Sequence, residues 1–331
     1  MFDVVTVGSA TEDVFVIVHD TVVVRIQDAK AERAYLGLDH GAKIAVDNIE
    51  IMTGGGATNT AVGLARMGLK TACVSKLGRD GPGERIQAEL HREGVDTSLL
   101  AFSDDHRTGY SVIITCFSGE RTVLTYRGAA EQLTLADLDL NAVLDTRWLF
   151  IGSLRGPAAA LFFELPKAAA SRGVKVAANP GGTQLALGLD GLRPVLANLE
   201  VIFLNKHEAY ELTGVQPDPS RADEYAMLRS IAGAGCRRVV ITDGEEGADG
   251  YDEAGPCYVP AYPVKVASTV GAGDAFASGC VAGLVRGLPL VEAMRLGAAN
   301  AASVVQQVGA KTGLLSWDEA VAFAASRRPG T

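Results

Sequence analysis

A surplus of positive charge is missing from this chain. Its 331 residues carry 30 Lys and Arg against 39 Asp and Glu, a net charge of −9. That argues against a nucleic-acid partner, which asks for a basic stripe, and it means that any anionic substrate must be met by local positive potential. Cysteine is also sparse. Cys73, Cys116, Cys236, Cys257 and Cys280 are scattered, odd in number and nowhere spaced C-x-x-C, as expected for reduced thiols in a cytosolic protein. No uncharged apolar stretch reaches the roughly 20 residues of a membrane-spanning helix. The opening Met-Phe-Asp-Val-Val lacks the basic segment and apolar run of a secretory signal. The expected location is the cytoplasm, with no membrane partner. No repeat and no low-complexity tract interrupts the chain.

Hydrophobic residues make up 48 % and charged residues 21 %, ordinary values for a globular protein with a sizeable core. Short β-branched runs recur at Val4–Val7, Ala72–Ser75, Trp148–Ile151, Val174–Ala178, Val201–Leu204 and Val239–Thr242. Continuous apolar runs suit strands buried on both faces. Helical patterns lie between several of them. Pro157–Arg172, for example, opens on a proline suited to a first turn and ends at Gly173. This alternation predicts an α/β fold with a mostly parallel sheet covered by helices on both sides.

Two groups of strands break the rhythm. One holds Val14–Val18, Val22–Ile26, Ala34–Leu38 and Ile44–Ile51. The other holds Thr108–Thr115 and Arg121–Tyr126, joined by the hairpin turn Phe117-Ser118-Gly119-Glu120. Together they read as a small β appendage placed as a lid, a device that excludes water from a reaction. The catalytic α/β domain would then comprise residues 1–13, 53–107 and 127–331, and the lid residues 14–52 and 108–126.

Four motifs carry the chemistry. Ser268-Thr269-Val270-Gly271-Ala272-Gly273-Asp274 is a glycine turn feeding a helix, which presents free amides and a favourable dipole to an anion. Asp274 at that helix start reads either as a catalytic carboxylate or as an ordinary N-cap. Gly54-Gly55-Gly56-Ala57-Thr58-Asn59 also opens a helix. It lacks the Lys-Ser/Thr ending of a Walker A loop, and Asn59 offers donors and an acceptor to a hydroxylated ligand. Asn205-Lys206-His207-Glu208 follows a strand, where ligands bind in open α/β sheets. Glu208 reads as a Mg²⁺ holder acting through water or as a capping residue. Thr242-Asp243-Gly244-Glu245-Glu246-Gly247 reads as a nucleotide-lining stretch or a plain turn.

In order and spacing these motifs resemble the PfkB carbohydrate kinase family, also called ribokinase-like, along nearly the whole chain. The first signature is similar to GGGATNTAVGLARMG at Gly54–Gly68 and the second to STVGAGDAFASGCVAG at Ser268–Gly283. Asn205 and Glu208 match its N-x-x-E motif. Thr242, Gly244 and Gly247 match its T-x-G-x-x-G stretch. Asp13 matches its substrate aspartate.

The resemblance implies a three-layer α/β/α fold with a β-sheet lid and an ATP-dependent kinase acting on a hydroxyl of a free sugar. In that reading Asp274 is the general base, and the amides of Gly271, Ala272 and Gly273 form an anion hole. Asp13, Gly54, Gly55 and Asn59 bind the acceptor. Asn205 and Glu208 organise Mg²⁺ and the ATP phosphates, Thr242, Gly244 and Gly247 line the nucleotide site, and Asn300 stands near the adenine. The lid implies a homodimer.

Two departures from the family pattern bear on function. Ser268 stands where many members have the aspartate of a monovalent-cation site, which puts K⁺ activation in doubt. Gly56 stands where many sugar kinases have lysine, which disfavours a phosphorylated acceptor, although Arg107, Arg127 and Arg155 could restore positive charge. The alternative acceptor is a nucleoside, with Phe102, Tyr110, Phe117 or Tyr126 forming a slot for its base. An oxidoreductase is disfavoured because Gly8-Ser9-Ala10 is not G-x-G-x-x-G. A non-catalytic sensor is disfavoured by the intact Asp274 and its glycine turn.

Overall fold

The structure, a computed structural model, describes residues 1–18, 22–27, 32–116, 121–218 and 222–326. An eight-stranded sheet runs through its centre. In spatial order it comprises Gly255–Val259, Ala248–Asp252, Val239–Thr242, Val201–Asn205, Lys175–Ala178, Thr146–Ile151, Phe2–Val7 and Thr71–Val74. The six apolar runs anticipated as strands are all present and pair in parallel. The edge hairpin Ala248–Asp252 and Gly255–Val259 adds in antiparallel fashion.

Alternation of side chains along these strands feeds two cores. Val5, Val7, Leu149, Ile151, Ile202 and Leu204 point to one face, where they meet Leu161, Phe162 and Leu165. Val4, Trp148, Phe150, Val201 and Phe203 point to the other, against Phe276, Cys280 and Met294. Helices on both faces complete the three layers. The helix Ala272–Val285 lies so close to Leu290–Val304 that a Cβ on Gly279 would stand 3.0 Å from Gly297 Cα. The helix expected over Pro157–Arg172 begins as a 3-10 turn, Gly156–Ala160, before the α-helix Leu161–Ala170.

A second sheet has four strands, in the order Arg121–Tyr126, Gly109–Cys116, Thr11–Val18 and Asn48–Gly54. The fourth strand begins later than anticipated. Residues 44–47 are not a strand, and the ladder starts where Asp47 N donates to Ile17 O at 3.0 Å. It then runs to Gly54, which pairs with Thr11. Val22–Gln27 and Glu32–Gly37 pair only with each other, as a separate two-stranded ribbon. The anticipated turn at residues 117–120 lies outside the described residues.

The small sheet has two unlike faces. Registered pairs place Val14, Val16, Ile49, Ile51, Val112 and Leu124 on one side. Asp13, Ser111 and Thr125 lie on the other. On the first side Ile49, Ile51 and Leu124 are 54 %, 57 % and 57 % exposed, an apolar patch of the kind that marks an interaction surface. Among the described residues no helix is long and apolar enough to cross a membrane.

Candidate active site

The fold brings the two glycine motifs together. The helix Ala272–Val285 starts from Gly271, whose φ of 78° is left-handed and therefore favours glycine. A Cβ there would also strike Ala310 Cβ at 2.4 Å. Of the amides in this turn, Ala272 N donates to Thr269 O at 3.3 Å, while those of Gly271 and Gly273 meet no backbone acceptor among the described residues. They stand at a helix N-terminus, where the dipole favours negative charge.

Asp274 is three residues into this turn, and its Oδ2 accepts from Asn59 Nδ2 at 2.8 Å. Asn59 belongs to the helix Gly56–Arg66. Burial pushes the Asp274 carboxyl up to about 6, against the pull of Asn59 and the more distant Lys311 ammonium. The other end of the Asn59 amide, Oδ1, is buried and has no hydrogen-bond partner among the described residues. Buried polar atoms rarely stay unpaired, so this oxygen is available to a donor from a bound molecule. A Cβ on Gly56 would lie 3.7 Å from Asp274 Oδ1. Gly56 thus borders the carboxylate, with its amide tied to Ser9 Oγ at 3.1 Å.

Asp13 enters from the strand Thr11–Val18. Burial raises its pKa, opposed by hydrogen bonds from Ser111 and Thr11 and by the charges of Lys311 and Arg127. Gly54 leaves room for it, because a Cβ there would fall 1.9 Å from Asp13 Oδ2. Gly55 has a φ of 99° and passes so close to the preceding loop that a Cβ would meet Ser9 O at 2.5 Å. Arg127 follows the strand Arg121–Tyr126. Its pKa is lowered by desolvation and then by the neighbouring Arg155 guanidinium.

The expected nucleotide residues lie at the C-terminal ends of neighbouring parallel strands, Val201–Asn205 and Val239–Thr242. Asn205 and Glu208 form a reciprocal cap: Glu208 N donates to Asn205 Oδ1 and Asn205 N to Glu208 Oε2, each at 2.9 Å. One carboxylate oxygen of Glu208 is therefore engaged by the helix, and burial raises its pKa. Thr242 Oγ1 donates to Leu204 O at 3.4 Å, and Gly244 and Gly247 frame the turn after it. Lys206, which sequence reasoning passed over, donates to Asp243 at 2.7 Å and Glu224 at 2.9 Å. These bonds raise its pKa.

Two expectations do not match their placement. Asn300 is fully buried, and its amide is engaged inside the protein. It donates to Ala275 O at 2.8 Å and Ser278 Oγ at 3.2 Å, and accepts from Leu315 N at 2.9 Å. Both amide hydrogens and one lone pair of the amide oxygen are thus engaged within the protein, where the residue braces the Asp274 helix. Tyr110 and Tyr126 are paired with each other and with Glu12. That register puts them on the face of the small sheet opposite Asp13, so they build no base slot around it. Phe102 lies under the Arg79 guanidinium, 5.2 Å from its ring centre, and Phe117 lies outside the described residues.

Sequence reasoning also missed Glu12, which is 2 % exposed and holds Arg85 through bonds of 2.5 and 2.8 Å. It missed Lys311 as well. No local pattern marks either residue, because their partners are distant in sequence.

Comparison with known proteins agrees with this architecture. The family model described as pfkB family carbohydrate kinase matches residues 16–317. A ribokinase of Haemophilus influenzae is 28 % identical over 288 residues, covering 86 % of this chain and 90 % of the relative. A 5-dehydro-2-deoxygluconokinase of Shouchella clausii is 29 % identical, over 77 % of this chain and 80 % of the relative. The structure of Arabidopsis thaliana ribokinase complexed with ribose and ATP superposes with a TM-score of 0.81 at 21 % identity, covering 98 % of both chains. At that identity the likeness shows the fold.

Proposed function

The chain belongs to the pfkB family of carbohydrate kinases, and from that premise we propose that it transfers the γ-phosphoryl group of ATP to a hydroxyl of a free sugar, with Asp274 as general base. As a family member it is a phosphotransferase with an alcohol group as acceptor. The observation that supports the detailed reading is the position of Asp274. It stands beside the open amides of Gly271 and Gly273 and is bonded to Asn59, whose Oδ1 awaits a donor.

In this mechanism Asn59 Oδ1, Asp13, Gly54 and Gly55 orient the acceptor so that one hydroxyl faces Asp274. The hydroxyl oxygen forms a bond to the transferred phosphorus as the bond from phosphorus to the leaving diphosphate breaks. The hydroxyl proton passes to Asp274, which must be ionised to receive it. The open amides of Gly271 and Gly273 stabilise charge on the transferring oxygens, the main demand of phosphoryl transfer, and Ala272 would join them on releasing Thr269 O. Thr242, Gly244, Gly247 and Asn205 border the nucleotide, with Asn300 bracing the site from behind. Mg²⁺ would be held near Glu208 through water and would neutralise phosphate charge. The donor set, one carboxylate half-committed to a helix cap, suits a hydrated ion. The small sheet acts as the lid, and its apolar face pairs two copies of the chain.

A second acceptor class has one observation in its favour. The Arg155 guanidinium sits close enough to lower the pKa of Arg127, Arg127 also feels Asp13, and neither guanidinium forms a hydrogen bond among the described residues. An acidic group on the sugar would relieve that repulsion through charge-assisted bonds.

The deciding experiment is an Mg-ATP turnover panel with ribose, 5-dehydro-2-deoxygluconate, hexoses and nucleosides. Turnover with ribose or a hexose supports the free-sugar reading. Turnover confined to the acidic sugar, and lost in Arg127→Met, supports the second class. Phosphorylation of a nucleoside but no sugar would overturn both.

A further inference from the structure

Lys311 is 6 % exposed, and an ammonium withdrawn from water needs strong partners. It finds them where the small sheet joins the main domain. Its Nζ donates to Thr53 O at 3.1 Å and also to Thr53 Oγ1. That hydroxyl in turn donates to Glu89, whose Oε1 lies 3.8 Å from the ammonium.

The backbone around Lys311 is held as firmly. Arg66 donates to the carbonyls of Lys311 and Leu314 at 3.1 and 3.2 Å, and grips Glu93 at 2.8 and 2.9 Å. A Cβ on Gly309 would stand 2.3 Å from Met52 Sδ, and one on Gly271 2.4 Å from Ala310 Cβ. Residues 309–311 are therefore wedged between the strand Asn48–Gly54 and the Gly271 turn.

We propose that Lys311 is a positioning residue of the phosphotransfer site: its ammonium pins the small-sheet strand at Thr53 against the Gly271 turn and supplies positive charge that Asp13 and Asp274 share. The proposal rests on the reading of Asp274 as the base. The charged and titratable groups facing the ammonium are Glu89 and Glu93 from the segment around helix Gly81–Arg92, Cys73 from the edge of the main sheet, and Asp13 from the small sheet. Asp274 feels it from the Gly271 turn, and Arg66 nearby is neutralised by Glu93. The same ammonium thus fixes geometry and biases the ionisation of two carboxylates.

The test is the pH dependence of kcat/KM with ribose and with 5-dehydro-2-deoxygluconate as acceptors. Lys311→Met removes a cation, so the acid limb should move up by about 0.5 to 1 in pH, with a higher KM for the acceptor. Lys311→Arg should bring the limb back. Glu89→Gln removes the opposing anion and should move the limb down, which keeps the idea testable if Lys311→Met does not fold. Thr53→Val keeps the charge and the bond to the Thr53 carbonyl but removes the hydroxyl that links Lys311 to Glu89, so it should raise acceptor KM by up to about tenfold with the limb in place. An unmoved limb in both Lys311→Met and Glu89→Gln, beside an inactive Asp274→Asn, overturns this proposal alone. Full turnover in Asp274→Asn overturns the base assignment and with it the role of the Lys311 charge.

Discussion

Asn59 and Asp274, 215 positions apart in the chain, share a hydrogen bond of 2.8 Å that joins the first turns of two helices. Each helix leaves a glycine turn, so the bond fixes one glycine turn against the other. Asn59 donates to the carboxylate, which favours the ionised form, and burial opposes it. The outcome is a carboxyl raised to about 6, which suits the general base proposed above.

Replacing Asp274 with Asn keeps the shape and removes the base. Turnover should fall by about 10² to 10⁴, with acceptor and ATP KM within a few-fold of wild type. In wild type, activity should be half-maximal on its acid side near pH 6, where Asp274 titrates, and should rise as the pH increases through that value. Steady-state rates from pH 5 to 8 check both statements.

The same shift has a cost in stability. A carboxyl whose pKa is raised on folding holds its proton more tightly in the native state, so stability is lost as pH rises from the unfolded value of 3.8 through about 6. Asp274→Asn should therefore melt higher than wild type at pH 8, and the difference should shrink toward pH 4. Calorimetry at the two pH values measures it.

Gly54→Ala places a methyl 1.9 Å from Asp13 Oδ2. Asp13 must swing away, at a cost of about 1–3 kcal/mol for an overpacked site. Acceptor KM should rise by roughly 5- to 150-fold, while ATP KM stays unchanged. Equal loss for both substrates would count against Asp13 as an acceptor ligand.

Ser268 is neutral and its Oγ accepts from Val270 N at 3.2 Å, so the side chain closes a local turn. Turnover should be the same in KCl, NaCl and choline chloride at equal ionic strength. Activation by K⁺ above that baseline would show that backbone oxygens alone complete a cation site.

Ile51 stands in the exposed apolar face of the small sheet. A lysine there should convert a dimer into a monomer at micromolar concentration, read by light scattering. A wild-type chain that is already monomeric would overturn pairing through this sheet.

Much of this was legible in the sequence, for identifiable physical reasons. Strands buried on both faces must be apolar throughout, so Val201–Leu204 and Val239–Thr242 announced themselves. Glycine turns before helices announced Gly54–Asn59 and Gly271–Asp274. The hairpin Ala248–Val259 did not show, because Ala-Asp-Gly-Tyr-Asp and Gly-Pro-Cys-Tyr-Val have the mixed pattern of an edge. Nor could the end of a strand be read where pairing decides it: Asn48–Gly54 is set by its partner Thr11–Val18. Asn300 looked available because its three partners lie 15 to 25 residues away. Lys311 was silent because its main partner, Thr53, is 258 residues distant.

The strand Thr11–Val18 carries Asp13 and Phe15 on one side and Val14 and Val16 on the other. Its two-residue repeat makes the buried acid and the apolar patch neighbours on a single thread. A frame error of one position in this strand would turn the acid outward into the apolar patch and a valine inward to the place Asp13 now holds. Length here is consequently under tighter constraint than identity: a conservative exchange at Val16 is a local matter, whereas one inserted or deleted residue between Thr11 and Val16 inverts both faces at once.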